Sequence, residues 1–280
     1  MITSLHFAAA ITAGLSICID EIVKPIPRKR FGQNFLIDQQ IIAAIIQAIR
    51  PTSGDLLVEI GPGLAALTRP LQQVLGHLHV VEVDRDIVAH LHREFTEEQL
   101  TIHSADALKF DFSQWGNRVR IVGNLPYNIS TPLLFHLGQF CMHILDMHFM
   151  LQKEVVERMV AMPSTPEYGR LSVMLQNRFE MEQILLVPAD CFRPIPKVQS
   201  AIVRMLPLEH SVVPIEQTPL FSKVVTAAFS QRRKTLRNTL RGFLNGDDFR
   251  ALALDAGLRA ENLSVAQFAA ITNYLKENNG

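Results

Sequence analysis

Little in this sequence points to metal, disulfide or bulk-charge chemistry. The 280-residue chain has three cysteines, Cys18, Cys141 and Cys191, scattered along its length. They are too few and too far apart for a disulfide framework and show no metal-ligand spacing. Ordinary thiols in a reducing, cytoplasmic compartment are expected, and no metal. Net charge is also lacking, because 27 basic and 27 acidic residues cancel. That excludes a protein which coats nucleic acid through bulk charge but leaves local patches open. Wholesale disorder is excluded by the 48% hydrophobic and 19% charged fractions, which suffice for a buried core. No internal repeat or low-complexity tract is present.

Met1 to Ile19 carries no Asp, Glu, Lys or Arg. The stretch reads either as a membrane or export segment or as an extension outside the fold. Thr3, Ser4, His6, Thr12 and Ser16 dilute it, no basic residue precedes it, and Asp20 and Glu21 follow. These features favour an extension, assigned to residues 1–27, and no membrane association.

From Asp38 onward the pattern alternates. Asp38 can cap a helix with the stripe Ile41, Ile42, Ile45, Ile46 and Ile49, closed by Pro51. Leu56–Ile60 reads as a strand broken at Gly61-Pro62-Gly63, and Leu64, Leu67, Leu71 and Val74 have helical spacing. Val80–Val83, Leu100–His103, Arg120–Val122 and Met147–Leu151 follow as strands, with helices at 87–95, from Thr131-Pro132, and at 153–160. Short apolar strands alternating with helices predict a parallel sheet covered on both faces, with ligands beyond the carboxyl ends of the strands. Ile184–Val187 and Ala201–Met205 can pair as a hairpin. Beyond Pro207 only helices are expected, at 221–229, 235–244, 249–256 and 265–275, the last with a Ser264/Gln267 capping box. These readings divide the chain into an α/β domain over residues 28–208 and a helical domain over 209–280.

Glu59-Ile60-Gly61-Pro62-Gly63-Leu64-Ala65-Ala66 is a strand–turn–helix whose glycines allow backbone to approach a ligand. Glu82 ends the next strand, where its carboxylate can accept from two ribose hydroxyls. The pattern fits a dinucleotide as well as another nucleoside cofactor. Pro62 removes an amide that would cradle a pyrophosphate, which tilts the choice to S-adenosylmethionine. Asp106 ends the third strand; it can bond the cofactor adenine or serve as a plain turn residue.

Gly123-Asn124-Leu125-Pro126-Tyr127 follows the fourth strand. The Asn124 side-chain oxygen and the Leu125 carbonyl could accept the two hydrogens of an adenine amine and free its lone pair for methyl transfer. Pro126 stiffens the turn and Tyr127 offers a ring on which an unstacked base can lie. The other reading is a strand-ending turn with a partly buried tyrosine.

These segments resemble the ribosomal RNA small-subunit adenine dimethyltransferase family. Arg30-Phe31-Gly32-Gln33-Asn34-Phe35-Leu36 matches that family's opening motif, Ile60–Gly63 its cofactor loop and Gly123–Pro132 its target-base motif. Gln152–Val155, Tyr168–Ser172 and Phe192–Val198 follow in family order, with Ile195 departing from the usual proline run. The resemblance, which begins near Arg28, implies a Rossmann-like S-adenosylmethionine methyltransferase with cofactor contacts at Asn34, Leu36, Gly61, Glu82, Asp106 and Asn124. It also implies that Phe192 closes on the face of the base opposite Tyr127. The implied activity is dimethylation of two adjacent adenosines in a small-subunit (16S) rRNA hairpin.

Nine basic residues lie between Val187 and Asn245, namely Arg193, Lys197, Arg204, Lys223, Arg232, Arg233, Lys234, Arg237 and Arg241, opposed only by Asp190, Glu209 and Glu216. Such runs are usually solvated helix faces. Beside a base-modifying site, phosphate contact is the better reading, with Arg233, Arg237 and Arg241 expected on one helical face and Arg28-Lys29-Arg30 adding to the field. A monomer acting on the small ribosomal subunit is expected. Three alternatives stay open: a 23S rRNA methylase of the antibiotic-resistance type, an assembly factor acting by binding, and a nicotinamide-dependent dehydrogenase.

Overall fold

The computed structural model describes residues 33–278. Residues 1–27, the Arg28-Lys29-Arg30 cluster and the first part of the opening motif lie outside the described residues. In chain order the elements are β1 (Phe35–Leu36), α1 (Gln39–Ile49), β2 (Leu57–Ile60), α2 (Thr68–Leu75), β3 (Leu78–Glu82), α3 (Arg85–Glu94), β4 (Leu100–Ser104) and β5 (Val119–Asn124). Then come α4 (Ser130–Leu137), β6 (Ile144–Gln152), α5 (Lys153–Val160), α6 (Arg170–Gln176), β7 (Phe179–Val187), β8 (Phe192–Arg193) and β9 (Ser200–Pro207). The chain finishes with α7 (Thr218–Ala228), α8 (Leu236–Thr239), α9 (Gly246–Ala251) and α10 (Val265–Asn278).

Seven strands form one sheet in the order β4-β3-β2-β5-β6-β9-β7, while β1 pairs separately with β8. The first five are parallel, but β9 is antiparallel to both β6 and β7. The sheet is therefore mixed, with the expected hairpin pair closing one side. Alternation along the strands feeds two cores. Val119 and Ile121 face a cluster with Leu133 and Leu137 of α4 and Val156 of α5. Val122 faces the other cluster, with Ile42, Ile45 and Ile49 of α1 and Ile87 of α3. Helices thus cover both faces of the central strands, β5 and β6, which are buried on both.

Local chemistry sets the boundaries. Asp38 Oδ1 accepts from the amides of Gln40 and Ile41, and α1 stops at Arg50, left-handed at φ 50° ahead of Pro51. α2 begins at Thr68 rather than Leu64. Gly61, Gly63 and Ala65 take φ of 68°, 55° and 63°, and no helix passes through alternating left-handed residues. Below the sheet, Arg120 donates through Nε and Nη2 to both oxygens of Asp146 (2.9 and 2.8 Å), through Nη1 to Asp55 (2.6 Å), and through Nη2 to the Ile49 carbonyl (2.6 Å). It ties α1 and the loop ahead of β2 to β5 and β6.

The helical region has its own core, including Phe221, Val225, Leu236, Leu240, Leu244, Phe268 and Ile271, joined by Tyr168 and Val173 from upstream. The Ser264/Gln267 capping box forms, with the Ser264 amide donating to Gln267 Oε1 and the Gln267 amide to Ser264 Oγ. The helix expected over 235–244 shrinks to Leu236–Thr239, and the one expected over 249–256 to Gly246–Ala251. Leu236, Leu240 and Leu244 keep their buried spacing. The amides of Leu236 and Arg237, which open α8, are satisfied by the carbonyls of Leu258 and Ala256, and Gly242 disfavours helix beyond Arg241.

Candidate active site

Topology locates the site before side chains are considered. From β2 the strand order proceeds through β3 to β4, and from β5 in the other direction to β6. Sheets of this kind bind ligands outside the carboxyl ends where the order reverses. A cavity of about 280 Å³ lies there, close to the ~300–1,000 Å³ usual for small-molecule sites. Asn34, Leu36, Gly61, Glu82, Asp106, Asn124, Leu125 and Tyr127 all line it.

Close packing at the switch point requires glycine. A Cβ on Gly123 would stand 2.5 Å from the Ile60 carbonyl oxygen, and one on Gly63 would stand 3.1 Å from the Phe35 ring. The Glu82 carboxylate is anchored at the end of β3, where its Oε1 accepts from the amides of Val83 and Asp84 at 2.8 Å. Burial raises its pKa and those backbone bonds oppose the rise. Asp106 Oδ1 accepts from the Leu108 amide at 3.0 Å, so it is a turn residue and a cavity wall at once. Asp84 caps α3 through the Asp86 amide.

The target-base segment is fixed at three points. Asn124 Nδ2 donates to the Asn34 carbonyl at 3.0 Å, which settles which edge of the amide carries the oxygen. Ser130 Oγ donates to the Tyr127 carbonyl at 3.1 Å, and the Tyr127 hydroxyl hydrogen-bonds Ser200 Oγ at 2.7 Å. Phe192 is placed differently. It is fully buried on β8, paired with Leu36 of β1, and is not among the residues that line the cavity.

Two contributors are not evident from sequence reasoning. Glu59 lines the cavity, buried and accepting from Thr68 Oγ1 at 2.7 Å. Burial pushes its carboxyl up to about 7 against the Thr68 bond, and the charge of Glu82 adds to the rise. An acid inside the apolar run Leu57–Ile60 was the available signal. Ser200 had none, since its role depends on a partner 73 residues away.

Among the described residues the cavity wall holds Glu59, Glu82 and Asp106 and no Lys, Arg or His. That charge balance suits a cofactor carrying a sulfonium and an ammonium, and would repel a pyrophosphate. The glycine cradle and the two strand-end carboxylates therefore fit S-adenosylmethionine.

Lys197, Arg232, Arg233, Lys234, Arg237 and Arg241 are all exposed. They do not share one helical face as expected. Arg233 lies in the turn before α8, Arg237 on it and Arg241 in the turn after it, because α8 spans only Leu236–Thr239. Arg232 bonds the Pro166 carbonyl at 3.3 Å, linking this segment to the upstream loop. No helix among the described residues is long and apolar enough to cross a membrane.

A family model described as ribosomal RNA adenine dimethylase matches residues 27–277. The ribosomal RNA small subunit methyltransferase A of Nitrosospira multiformis is 64% identical over 248 residues, covering 89% of this chain and 96% of that protein. Its counterpart in Nitrosomonas europaea is 63% identical over 251 residues, 90% and 97% of the two chains. In fold, the chain is similar to a dimethyladenosine transferase from Plasmodium falciparum (TM-score 0.75, 24% identity, covering 88% and 98%). It is also similar to the 23S rRNA methyltransferase ErmE (TM-score 0.67, 22% identity, covering 87% and 100%). The acidic, glycine-cradled cavity and these relatives lead to one identification: the chain belongs to the ribosomal RNA adenine dimethylase family and is an S-adenosylmethionine-dependent rRNA methyltransferase.

Proposed function

We propose that this enzyme dimethylates N6 of two adjacent adenosines in a hairpin of small-subunit (16S) rRNA during ribosome assembly, acting as a cytoplasmic monomer. The observation that carries the reading is the cavity itself. A pocket that holds acidic and no basic side chains among the described residues is lined by Asn124, Leu125 and Tyr127 as well. The names of the Nitrosospira and Nitrosomonas relatives support the small subunit as substrate.

When bound, S-adenosylmethionine supplies an electrophilic methyl group on a sulfonium centre. Glu82, Asp106, Gly61, Asn34 and Leu36, which line the cavity, would hold it there. In the first transfer the Asn124 side-chain oxygen and the Leu125 carbonyl accept the two hydrogens of the target amine, drawing its nitrogen toward tetrahedral geometry. Its lone pair is then aimed along the transfer axis. The monomethylated amine keeps one hydrogen and engages one of these acceptors. Rate comes from orientation, and no strong general base is needed. Tyr127 presents a ring face to the extruded base. Phe192 is assigned to the opposite face of the base by the family motif, although it is buried on β8 away from the cavity wall here. Lys197, Arg232, Arg233, Lys234, Arg237 and Arg241 contact RNA phosphates, and residues 209–280 serve as the RNA-binding domain beside a catalytic domain at 28–208.

Methyl transfer to unmodified small subunits, large subunits and naked 16S rRNA, compared side by side, tests the substrate. Small subunits are expected to be methylated on two adjacent adenosines. Preference for large subunits would sink the proposal. Asn124→Ala is expected to abolish transfer while leaving subunit binding intact, and full activity in that variant would overturn the mechanism.

A further inference from the structure

We propose that Ser200 is a positioning residue of this active site, its hydroxyl fixing the direction in which the Tyr127 ring, the stacking face for the target base, projects. The inference rests on the reading of Tyr127 as the stacking face.

Ser200 is fully buried at the first position of β9 and pairs with Gln152 of β6 on one side and Val187 of β7 on the other. Three strand ends meet there, so its backbone is fixed from both sides. Its hydroxyl lies 2.7 Å from that of Tyr127, and it does not line the cavity. Tyr127 is anchored at its backbone as well, through Ser130 Oγ. A tyrosine held at its carbonyl and at its phenol oxygen has the direction of its ring axis fixed at both ends. Without the Ser200 hydroxyl, a half-buried phenol loses its protein partner and the ring axis loses its outer anchor.

The position of Ser200 in the chain adds a second link. The segment 193–199 begins at Phe192 and ends at Ser200, and it is exposed apart from Pro196. Pairing with Leu36 of β1 fixes its first end, and the β6 and β7 pairings fix its last. Tyr127 is thus tied, through Ser200, to one end of the segment whose other end carries Phe192. A shift at the Ser200 end moves the Tyr127 face. Transfer geometry is sensitive to displacements of about 1 Å, which cost on the order of 100-fold in rate.

The test uses the full chain with unmodified small subunits and compares Ser200→Ala, Ser200→Thr, Tyr127→Phe, Tyr127→Ala and the Ser200→Ala/Tyr127→Phe double variant. Ser200→Ala and Tyr127→Phe are each expected to lower kcat about tenfold, with KM for subunits and cofactor affinity by calorimetry nearly unchanged. Ser200→Thr, which restores a hydroxyl, is expected to recover most of the rate. The double variant is expected to be no slower than either single one, as for two ends of one bond. Wild-type kcat in Ser200→Ala, or losses that multiply in the double variant, would overturn the proposal. If Ser200→Ala folds poorly, Tyr127→Phe removes the same bond from the other side, and a wild-type kcat there overturns it equally. Full activity in Tyr127→Ala would strike the stacking reading itself. An inactive Tyr127→Ala beside unimpaired Tyr127→Phe and Ser200→Ala strikes only the positioning role.

Discussion

The Asn124 side-chain amide donates through Nδ2 to the backbone carbonyl of Asn34, 3.0 Å away across 90 residues of sequence. The amide of the target-base motif is therefore oriented by the opening motif, and Asn34 and Asn124 both border the cofactor cavity.

Replacing Asn124 by Asp keeps the size and removes the donor. A carboxylate would then face the Asn34 carbonyl, and the oxygen meant for the substrate amine would turn away. A fall in kcat of at least about 100-fold is expected, the scale seen when a placed polar group is lost from a transition state. Methyl incorporation would measure it, and sedimentation with small subunits should show unaltered binding.

Gly123→Ala puts a methyl group 2.5 Å from the Ile60 carbonyl, where two parallel strands must part or shift. A cost of about 1–3 kcal/mol is expected, read as a drop of roughly 2–4 °C in Tm per kcal/mol, with weaker cofactor binding by calorimetry. Gly242→Ala is the control, since a Cβ there meets nothing within 4 Å. It is expected to leave Tm unchanged or slightly raised.

Two buried groups should give the stability–pH curve opposing slopes. His148 is 2% exposed at its side chain, neither ring nitrogen has a hydrogen-bond partner among the described residues, and burial pushes its pKa down to about 4. The unfolded chain takes up this proton first, so stability falls as pH drops from about 6.5 toward 4, by up to ~3 kcal/mol. Glu59 titrates in the opposite sense, with a folded pKa raised to about 7. The folded state holds that proton, so its contribution is lost as pH rises from about 4.5 to 7. Urea titrations across this range should show His148→Leu flattening the acid limb and Glu59→Gln removing the opposing slope in the cofactor-free protein.

Arg233, Arg237 and Arg241 are exposed on consecutive turns around α8. Replacing them by Ala is expected to weaken small-subunit binding and to lower its salt dependence by about one unit of log–log slope per lost phosphate contact. Turnover at saturating subunits should change little. An unchanged salt slope would show that this face does not meet RNA.

Much of this protein was legible in its residues. The alternation of apolar runs and amphipathic segments identified a helix-covered sheet, because strand and helix periods leave distinct marks even in one sequence. Asp38 and the Ser264/Gln267 pair announced their caps, since capping is decided within four residues. Gly61, Glu82, Asp106 and Asn124 could be assigned to one site because each follows a strand, and parallel strands deliver their carboxyl ends to one edge.

Tertiary structure decided what depends on distant partners. The apolar spacing of Leu236, Leu240 and Leu244 survives as burial but not as one helix, which ends at Thr239 ahead of Gly242. Phe192 belongs beside Tyr127 by motif, yet its pairing with Leu36 buries it away from the cavity wall. Nothing near Gly123 in the sequence shows the Ile60 carbonyl that makes glycine necessary. Nor does anything near Asn124 show the Asn34 carbonyl that orients it. Periodicity and caps are local and so can be read along the chain. The orientation of a side chain against a partner 90 residues away is set only when the segment ahead of β1 packs against the end of β5.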